Sequence, residues 1–492
     1  MKKWLMMALA LVGALGLAVP SRAATEVRMV GDALVYGVFF SNRNFTGWNA
    51  PGWTTASGGY RKGGTKTEES FQIWERFRVR TDFIANEAVK FRLALKVEDV
   101  WGHGTFTAAN PTTAVVPYQA FLQFKLPGCQ VEATAGLQRV DLPQSKLFYA
   151  SPVLGENVAA LVVKAPLIDK TLGVVAGFGR LIDTNRTYDD TTTQVPDELD
   201  AYFLALPITV DGFKATPWGA VAVAGRNANY YTNKSSRYGE AYFADNLASA
   251  GTFIDPTLWK NAQNAFWWAG GAFEVSALDP VRFYADVIYG AGAQNDRKKS
   301  RREGWFLDFG AEYTGWDVLT PQAFGWWSTG EDGSTLNGSE RMPIIGSNWG
   351  PGNGFLFDDS QKLVKDSNMG MSPVGSWGFG ASLNNISFIE KLSHRLTFMY
   401  VGGTNSARAI RTLNEALGSN PYFRMGRDLT VNEYVLGVNF DNKYMINQNL
   451  AFLVETGWAH GEFQQSVWGH RMVNQARNGD VWKVSFGLSY KF

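Results

Sequence analysis

Trp482-Lys483-Val484-Ser485-Phe486-Gly487-Leu488-Ser489-Tyr490-Lys491-Phe492 ends the 492-residue chain, and its period of two is unbroken. Trp482, Val484, Phe486, Leu488, Tyr490 and Phe492 are apolar or aromatic, whereas Lys483, Ser485, Gly487, Ser489 and Lys491 are small or polar. A strand sends successive side chains to opposite faces, so this segment offers one face to hydrocarbon and the other to water.

Segments that carry strand patterns come in pairs joined by short turns: 71–83 with 89–101, 115–126 with 130–140, 156–166 with 171–181, and 199–209 with 213–226. The series continues with 264–278 and 281–291, 303–314 and 318–329, 376–389 and 394–404, and 429–446 and 450–460. Turn residues such as Pro127-Gly128, Asp211-Gly212 and Gln448-Asn449 sit between partners. A first strand near 27–40 and a last at 480–492 bring the count to 18, within an expected 16–18. Long Gly/Asn/Asp/Ser-rich stretches (41–70, 141–155, 182–198, 227–263, 330–375, 405–428, 461–479) separate the pairs. Short turns on one side and long loops on the other predict an all-β transmembrane antiparallel barrel, with periplasmic turns and extracellular loops. A terminal Phe after such alternation is the insertion signal of outer-membrane barrels, so Phe492 is expected to engage the barrel-assembly machinery.

The opposite end fits export. Lys2 and Lys3 precede an apolar run from Trp4 to Val19, and Ser21-Arg22-Ala23 supplies small residues before a cut. Residues 1–23 are therefore expected to be a signal peptide and 24–492 a single barrel domain in the outer membrane. Beyond that run no stretch of 18 uncharged apolar residues occurs, which excludes a helical membrane protein. The 52 glycines, 33 phenylalanines, 18 tryptophans and 18 tyrosines form a strand-and-turn mixture rich in interface aromatics. Without Lys2, Lys3 and Arg22 the chain keeps 43 basic residues against 45 acidic ones, a balance that gives no case for nucleic acid. The single cysteine, Cys129, cannot form an internal disulfide.

Parity within strands assigns the lumen. Phe71, Ile73, Phe77, Val79 and Phe83 share one face of 71–83; Arg76, Arg78, Arg80 and Asp82 share the other. An arginine on the lipid face costs roughly 2–4 kcal/mol at mid-depth, so three in alternation must point inward. With Arg92 and Lys96 of 89–101 they make a basic ladder on one wall. Inward positions elsewhere mix signs, among them Glu132, Lys164, Glu274, Arg282, Asp286, Asp308, Glu312, Glu433, Asp441 and Glu455. Charges of both signs predict a solvated lumen, not one packed with apolar side chains. They could also simply pair across strands and stiffen the wall. The third external loop, 141–155, with Asp141, Lys146, Phe148 and Tyr149 and with Glu156 just after it, is the expected constriction. Its acids would then face the ladder and set a transverse field that sorts solutes by charge. Glu75 falls on the outward face, where a headgroup or a subunit contact would have to receive it.

Several stretches resemble the homotrimeric outer-membrane porins described in sulfate-reducing bacteria: Gly136-Leu137-Gln138-Arg139-Val140-Asp141-Leu142-Pro143, Gly338-Ser339-Glu340-Arg341-Met342-Pro343, Ser387-Phe388-Ile389-Glu390-Lys391-Leu392 with Gly403-Thr404-Asn405, and Val438-Asn439-Phe440-Asp441. The resemblance implies a homotrimer with one pore per subunit, passing ions and small hydrophilic solutes by diffusion. It adds no catalytic or solute-binding residue.

Signs of catalysis are lacking. His103, His394, His460 and His470 show no metal-ligand spacing, and no GxSxG element occurs, so neither an enzyme nor a cofactor is expected. Gly330-Glu331-Asp332-Gly333 and Asp358-Asp359 match no calcium-loop spacing. Trp267-Trp268 and Trp326-Trp327 suit a membrane girdle better than sugar stacking. The competing readings are a substrate-specific channel and, from a different class, a structural or adhesive barrel whose lumen is occluded.

Overall fold

In a computed structural model of the full chain, the described residues are 25–42, 45, 52–54, 59–61, 69–102, 114–183, 198–225, 246–254, 263–293, 300–346, 349–351, 355–357, 370–417, 422–470, 473–474 and 480–492. The signal segment 1–23, His103 and Asp358-Asp359 lie outside them.

Eighteen antiparallel strands close into one barrel. They are β1 (Glu26–Ser41), β2 (Glu69–Asn86), β3 (Val89–Val100), β4 (Val116–Lys125), β5 (Glu132–Asp141), β6 (Gly155–Ile168), β7 (Leu172–Ile182), β8 (Leu199–Ala205 with Ile208–Val210), β9 (Phe213–Ala224), β10 (Asn264–Val275), β11 (Val281–Ala293), β12 (Arg301–Tyr313), β13 (Thr320–Ser328), β14 (Ser376–Ile389), β15 (Leu392–Gly403), β16 (Tyr434–Met445), β17 (Leu450–Glu462) and β18 (Val481–Lys491). The sequence count of 18 and each short turn are borne out. β8 counts once because its gap, Leu206-Pro207, includes a proline that has no N–H for the ladder. Closure runs from β1 to β18 in the register Asp32↔Lys491 through Ser41↔Trp482. A closed sheet leaves no unpaired edge, which is what hydrocarbon demands of a backbone.

Outward residues form an aromatic belt that includes Trp267 and Trp327, whereas Trp268 and Trp326, also expected in it, alternate inward and are buried. At the extracellular level a run of rings crosses β10 to β12, with Trp267, Tyr289 and Trp305 spaced 5.3 and 4.8 Å between centroids. A second run follows on β14 to β16, where Tyr400 lies 5.4 Å from Trp377 and 5.5 Å from Tyr434. At the opposite end Phe492 stacks on Phe77 at 6.1 Å, while its backbone exchanges hydrogen bonds with Gly31. The arc β5–β8 differs. At girdle height it carries Arg139, bidentate to Asp141 at 2.8 Å, and Arg180, bonded to Asp200 at 3.0 Å. Register puts Arg180 and Asp200 on the parity of the exposed Leu161 and Tyr202.

The loops carry structure that strand patterns do not reveal. The stretch 405–428 contains α2 (Ala407–Leu417), which follows the short α1 (Gly251–Ile254) and precedes α3 (Gln465–Trp468) in the chain. Ser406 Oγ accepts the Arg408 N–H, and Ala409, Ile410 and Leu413 bury one side of α2. The strand expected from 429 begins only at Tyr434. Before it, Glu433 gathers the N–H groups of Thr430 and Gln464 and the Trp468 indole.

Candidate functional site

The ladder stands where parity placed it, but its counter-charges come from its own wall. Asp32 of β1 faces Arg78 across the β1–β2 ladder; it accepts Arg78 Nε at 2.9 Å and meets Arg76 Nη2 at 3.5 Å. Asp82 accepts two bonds from Arg92 at 2.6 and 2.7 Å, and Glu98 takes Lys96 at 2.8 Å. Arg80 is the exception. Its row neighbours are Val30 and Ala94, its side chain is exposed, and among the described residues it makes no hydrogen bond or ion pair.

Loop 142–154, which joins β5 to β6, crosses the lumen to the far wall. Asp286 of β11 clamps it: both its carboxylate oxygens accept the Ser145 N–H, at 2.8 and 2.9 Å, and Oδ2 also accepts Ser145 Oγ at 2.7 Å. Asp286 sits directly opposite Asp308 of β12, which accepts the Trp349 indole N–H at 3.2 Å. Leu147 lies over Gly310; a Cβ there would fall 1.8 Å from Leu147 Cδ2, so any larger residue would push the Leu147 side chain off the strand. Phe148 packs on Phe324 and, at 5.2 Å, on Trp349. The same loop is sewn to loop 329–375, since Tyr149 and Gly350 exchange backbone bonds and Val153 O accepts Ile345 N. Farther along, Phe355 and Leu356 cover Gly457 and Gly437 of β17 and β16.

Consequently much of the lumen is dry, and here the sequence expectation fails. A continuous apolar cluster fills it, built from inward side chains such as Phe266, Trp268, Phe306 and Trp326 and from the inserted loops. Two of the charges expected to be solvated are buried and paired: Glu455 bonds Lys483 at 3.3 Å, and Asp441 bonds its register partner Arg395 at 2.6 Å. Parity identified these residues as inward, but it could not see that loops would cover them.

Of the residues expected at the constriction, Lys146 sits exposed on the inserted loop next to the clamped Ser145. Glu156 lies on the inward parity opposite Val140, against Gly346 of the second inserted loop. Asp141 lies on the outward parity with Arg139. The structure thus brings Lys146 and Glu156 to the inserted loops and keeps Asp141 at the outer rim. Glu75, on the same outward parity as Val35 and Asp99, accepts the Trp101 indole at 2.9 Å.

Beneath the inserted loop remains a polar chamber of about 410 Å³, lined by Lys146 and Tyr149 of the loop and by Glu312, Asn384, Arg395, Asp441, Lys443 and Glu455 of β12 and β14–β17. Above it, loops 329–346 and 404–433 lock together through side chains the sequence did not single out. Arg341, fully buried, bonds Asp428 at 2.8 Å and lies 5.2 Å from the Tyr422 ring centroid. Burial pulls the Asp428 carboxyl upward, but Arg427 and Arg341 outweigh it and leave the group below the usual range. Glu331 accepts Ser339 Oγ at 2.7 Å, and Ser339 Oγ in turn meets the Tyr422 hydroxyl at 2.8 Å. Burial drives Glu331 up to about 8 and Tyr422 up to about 12. Among the described residues no cluster of His, Cys, Asp and Glu could hold a metal ion.

No protein-family model matches the chain, and neither does any curated relative. Solved structures do. OccK8 (OprE) of Pseudomonas aeruginosa aligns over 95% of this chain and 98% of its own, with a TM-score of 0.50 and 9% identity. OccK11 (OpdR) of the same organism covers 94% and 95% at a TM-score of 0.49 and 7% identity. OccAB2 of Acinetobacter baumannii covers 94% and 98% at 0.49 and 10%. The likeness to OccK8 is one of fold, spanning nearly the whole of both chains.

Proposed function

We propose that the barrel lies in the outer membrane and is a porin, a channel through which ions and small hydrophilic solutes diffuse. One observation carries the reading: a loop clamped inside a closed, lipid-facing barrel narrows the lumen and leaves a charged chamber beneath. A constriction held on a rigid wall, with ionised side chains at its margin, is how a pore sorts solutes by size and charge. In this reading Arg76, Arg78, Arg80, Arg92 and Lys96 form the cationic wall, and Lys146 and Glu156 belong to the narrowing. A selective channel is the second reading, favoured by the apolar filling of the lumen, which leaves much less free cross-section than an open 18-stranded barrel would have.

The bonded pairs Arg139–Asp141 and Arg180–Asp200 support a homotrimer that uses β5–β8 as the subunit contact. Charged pairs at girdle height suit a protein neighbour better than acyl chains, whereas the aromatic runs on β10–β16 suit lipid. Phe492 would serve the barrel-assembly machinery as its recognition element.

Recording single insertions of the purified protein in a planar bilayer tests the proposal. Stable ohmic steps that arrive in threes are expected; a folded, heat-modifiable barrel that carries no current would overturn it.

A further inference from the structure

We infer that the chamber beneath the inserted loop is a binding subsite for small organic anions, held between the ammonium groups of Lys146 and Lys443. The inference rests on the channel reading above. Its basis is an inventory of partners. Each carboxylate that lines the chamber is already met by a donor: Glu312 by the Tyr284 hydroxyl at 2.6 Å and Arg282 at 3.8 Å, Asp441 by Arg395 at 2.6 Å, and Glu455 by Lys483 at 3.3 Å. One oxygen of Asp441 stays without a hydrogen bond, yet its charge is balanced by the guanidinium at the other.

The two lysines differ. Both line the chamber, and among the described residues neither makes a hydrogen bond or an ion pair. Among the described residues the charge left uncompensated is therefore positive, on two groups that line the chamber from different elements, the inserted loop and β16. Neither support is loose. Lys146 follows Ser145, which holds three hydrogen bonds to Asp286, and Lys443 is fixed in the ladder between Ser393 and Leu453.

A neutral donor completes the lining. The Asn384 amide is oriented by Gln322 Oε1 at 3.4 Å. About 410 Å³ is within the range of small-molecule sites. A solute with a carboxylate at each end, of the size of a short dicarboxylate, would give each ammonium a charge-assisted partner, and such bonds are stronger than neutral ones.

Succinate is the probe, with glycerol as its neutral control, added to the channel in potassium chloride. Succinate is expected to lower the current saturably and glycerol to leave it unchanged. Lys146→Gln and Lys443→Gln should each raise the half-blocking concentration by about tenfold, and Lys443→Arg should restore block. A conducting protein that succinate does not block, or whose two glutamine variants it blocks as tightly as the wild type, would overturn the subsite and leave the channel reading intact. A folded barrel with no current would overturn the channel reading itself.

Discussion

The barrel has two inner walls that share a parity pattern and differ in solvation. On β1–β3 the ion pairs stand in the open: the side chains of Arg92 and Asp82 keep 25% and 19% of their exposure. On β17–β18 Lys483 and Glu455 keep 0% and 3%. Both pairs are products of the same inward alternation, so strand chemistry does not separate them. What separates them is cover: among the described residues the inserted loops lie against β11–β17, and the apolar cluster reaches the wall β1–β3 at Leu34, Tyr36, Val38, Phe40 and Trp74 but not at Asp82 and Arg92. In water an ion pair contributes little, since water competes for both charges; under a loop, removing one partner strands the other in a dry environment.

The contrast breaks most sharply on single neutralisations. Glu455→Gln leaves Lys483 buried beside an uncharged amide and should cost about 3–5 kcal/mol, whereas Asp82→Asn on the ladder wall should cost no more than about 1 kcal/mol. Urea midpoints of the folded barrel in detergent, read by heat-modifiable mobility, check both. Equal losses would mean that the covered wall is wetter than its packing indicates.

A second test uses pH on the outer lid. Glu331 has its folded value raised from 4.5 to about 8 by burial. The stability this represents is fully present below about 4.5 and is lost as the pH rises toward 8, because the unfolded carboxyl ionises freely while the buried one resists. Loops 329–346 and 404–433 should therefore have lower protection factors, corrected for the base catalysis of amide exchange itself, at pH 9 than at pH 6. Glu331→Gln should flatten that dependence, and the ladder strands should show neither change. A pH-independent lid in the wild-type protein would contradict the burial of Glu331.

Between the walls lies the clamp. Asp286→Asn weakens the charge-assisted bonds to Ser145, a loss of roughly 1.5–3 kcal/mol. That shifts the population of released loop by about ten- to a hundredfold. Current noise and mean conductance should both rise, and a quiet channel of unchanged conductance would show that the packing of Leu147 and Phe148 holds the loop unaided.

How much of this was legible beforehand follows the range of the forces. Strand number, turns and parity are local, and Trp482 to Phe492 or the Arg76, Arg78, Arg80 series display them in a few residues. Asp32 could have been recognised too, since it alternates with Leu34 and Tyr36 on the inward parity of β1. The dry lumen could not. Ser145 meets Asp286 across 141 positions of chain, Arg341 meets Asp428 across 87, and a glycine at 310 gives no sign that Leu147 will lie on it. Helix α2 was hidden for another reason: a polar loop composition masks the spacing of Ala409, Ile410 and Leu413.

Arg80 gives the finest test of the two-wall comparison, because it should alter transport with almost no effect on stability. It is exposed, its row neighbours are Val30 and Ala94, and among the described residues no acid pairs with it. Replacing it by alanine removes no bond, so the urea midpoint should stay within about 0.5 kcal/mol of wild type. Its charge, however, acts on mobile ions in the lumen, where low-dielectric walls concentrate the field. The reversal potential in a potassium chloride gradient should move toward the potassium value in Arg80→Ala. It should move less in Arg78→Ala, where the loss of the guanidinium also frees Asp32 for Arg76, which stands 3.5 Å from it. If Arg78→Ala instead gives the larger shift, the pairing with Asp32 does not quench the ladder, and the open wall carries its charge as a set.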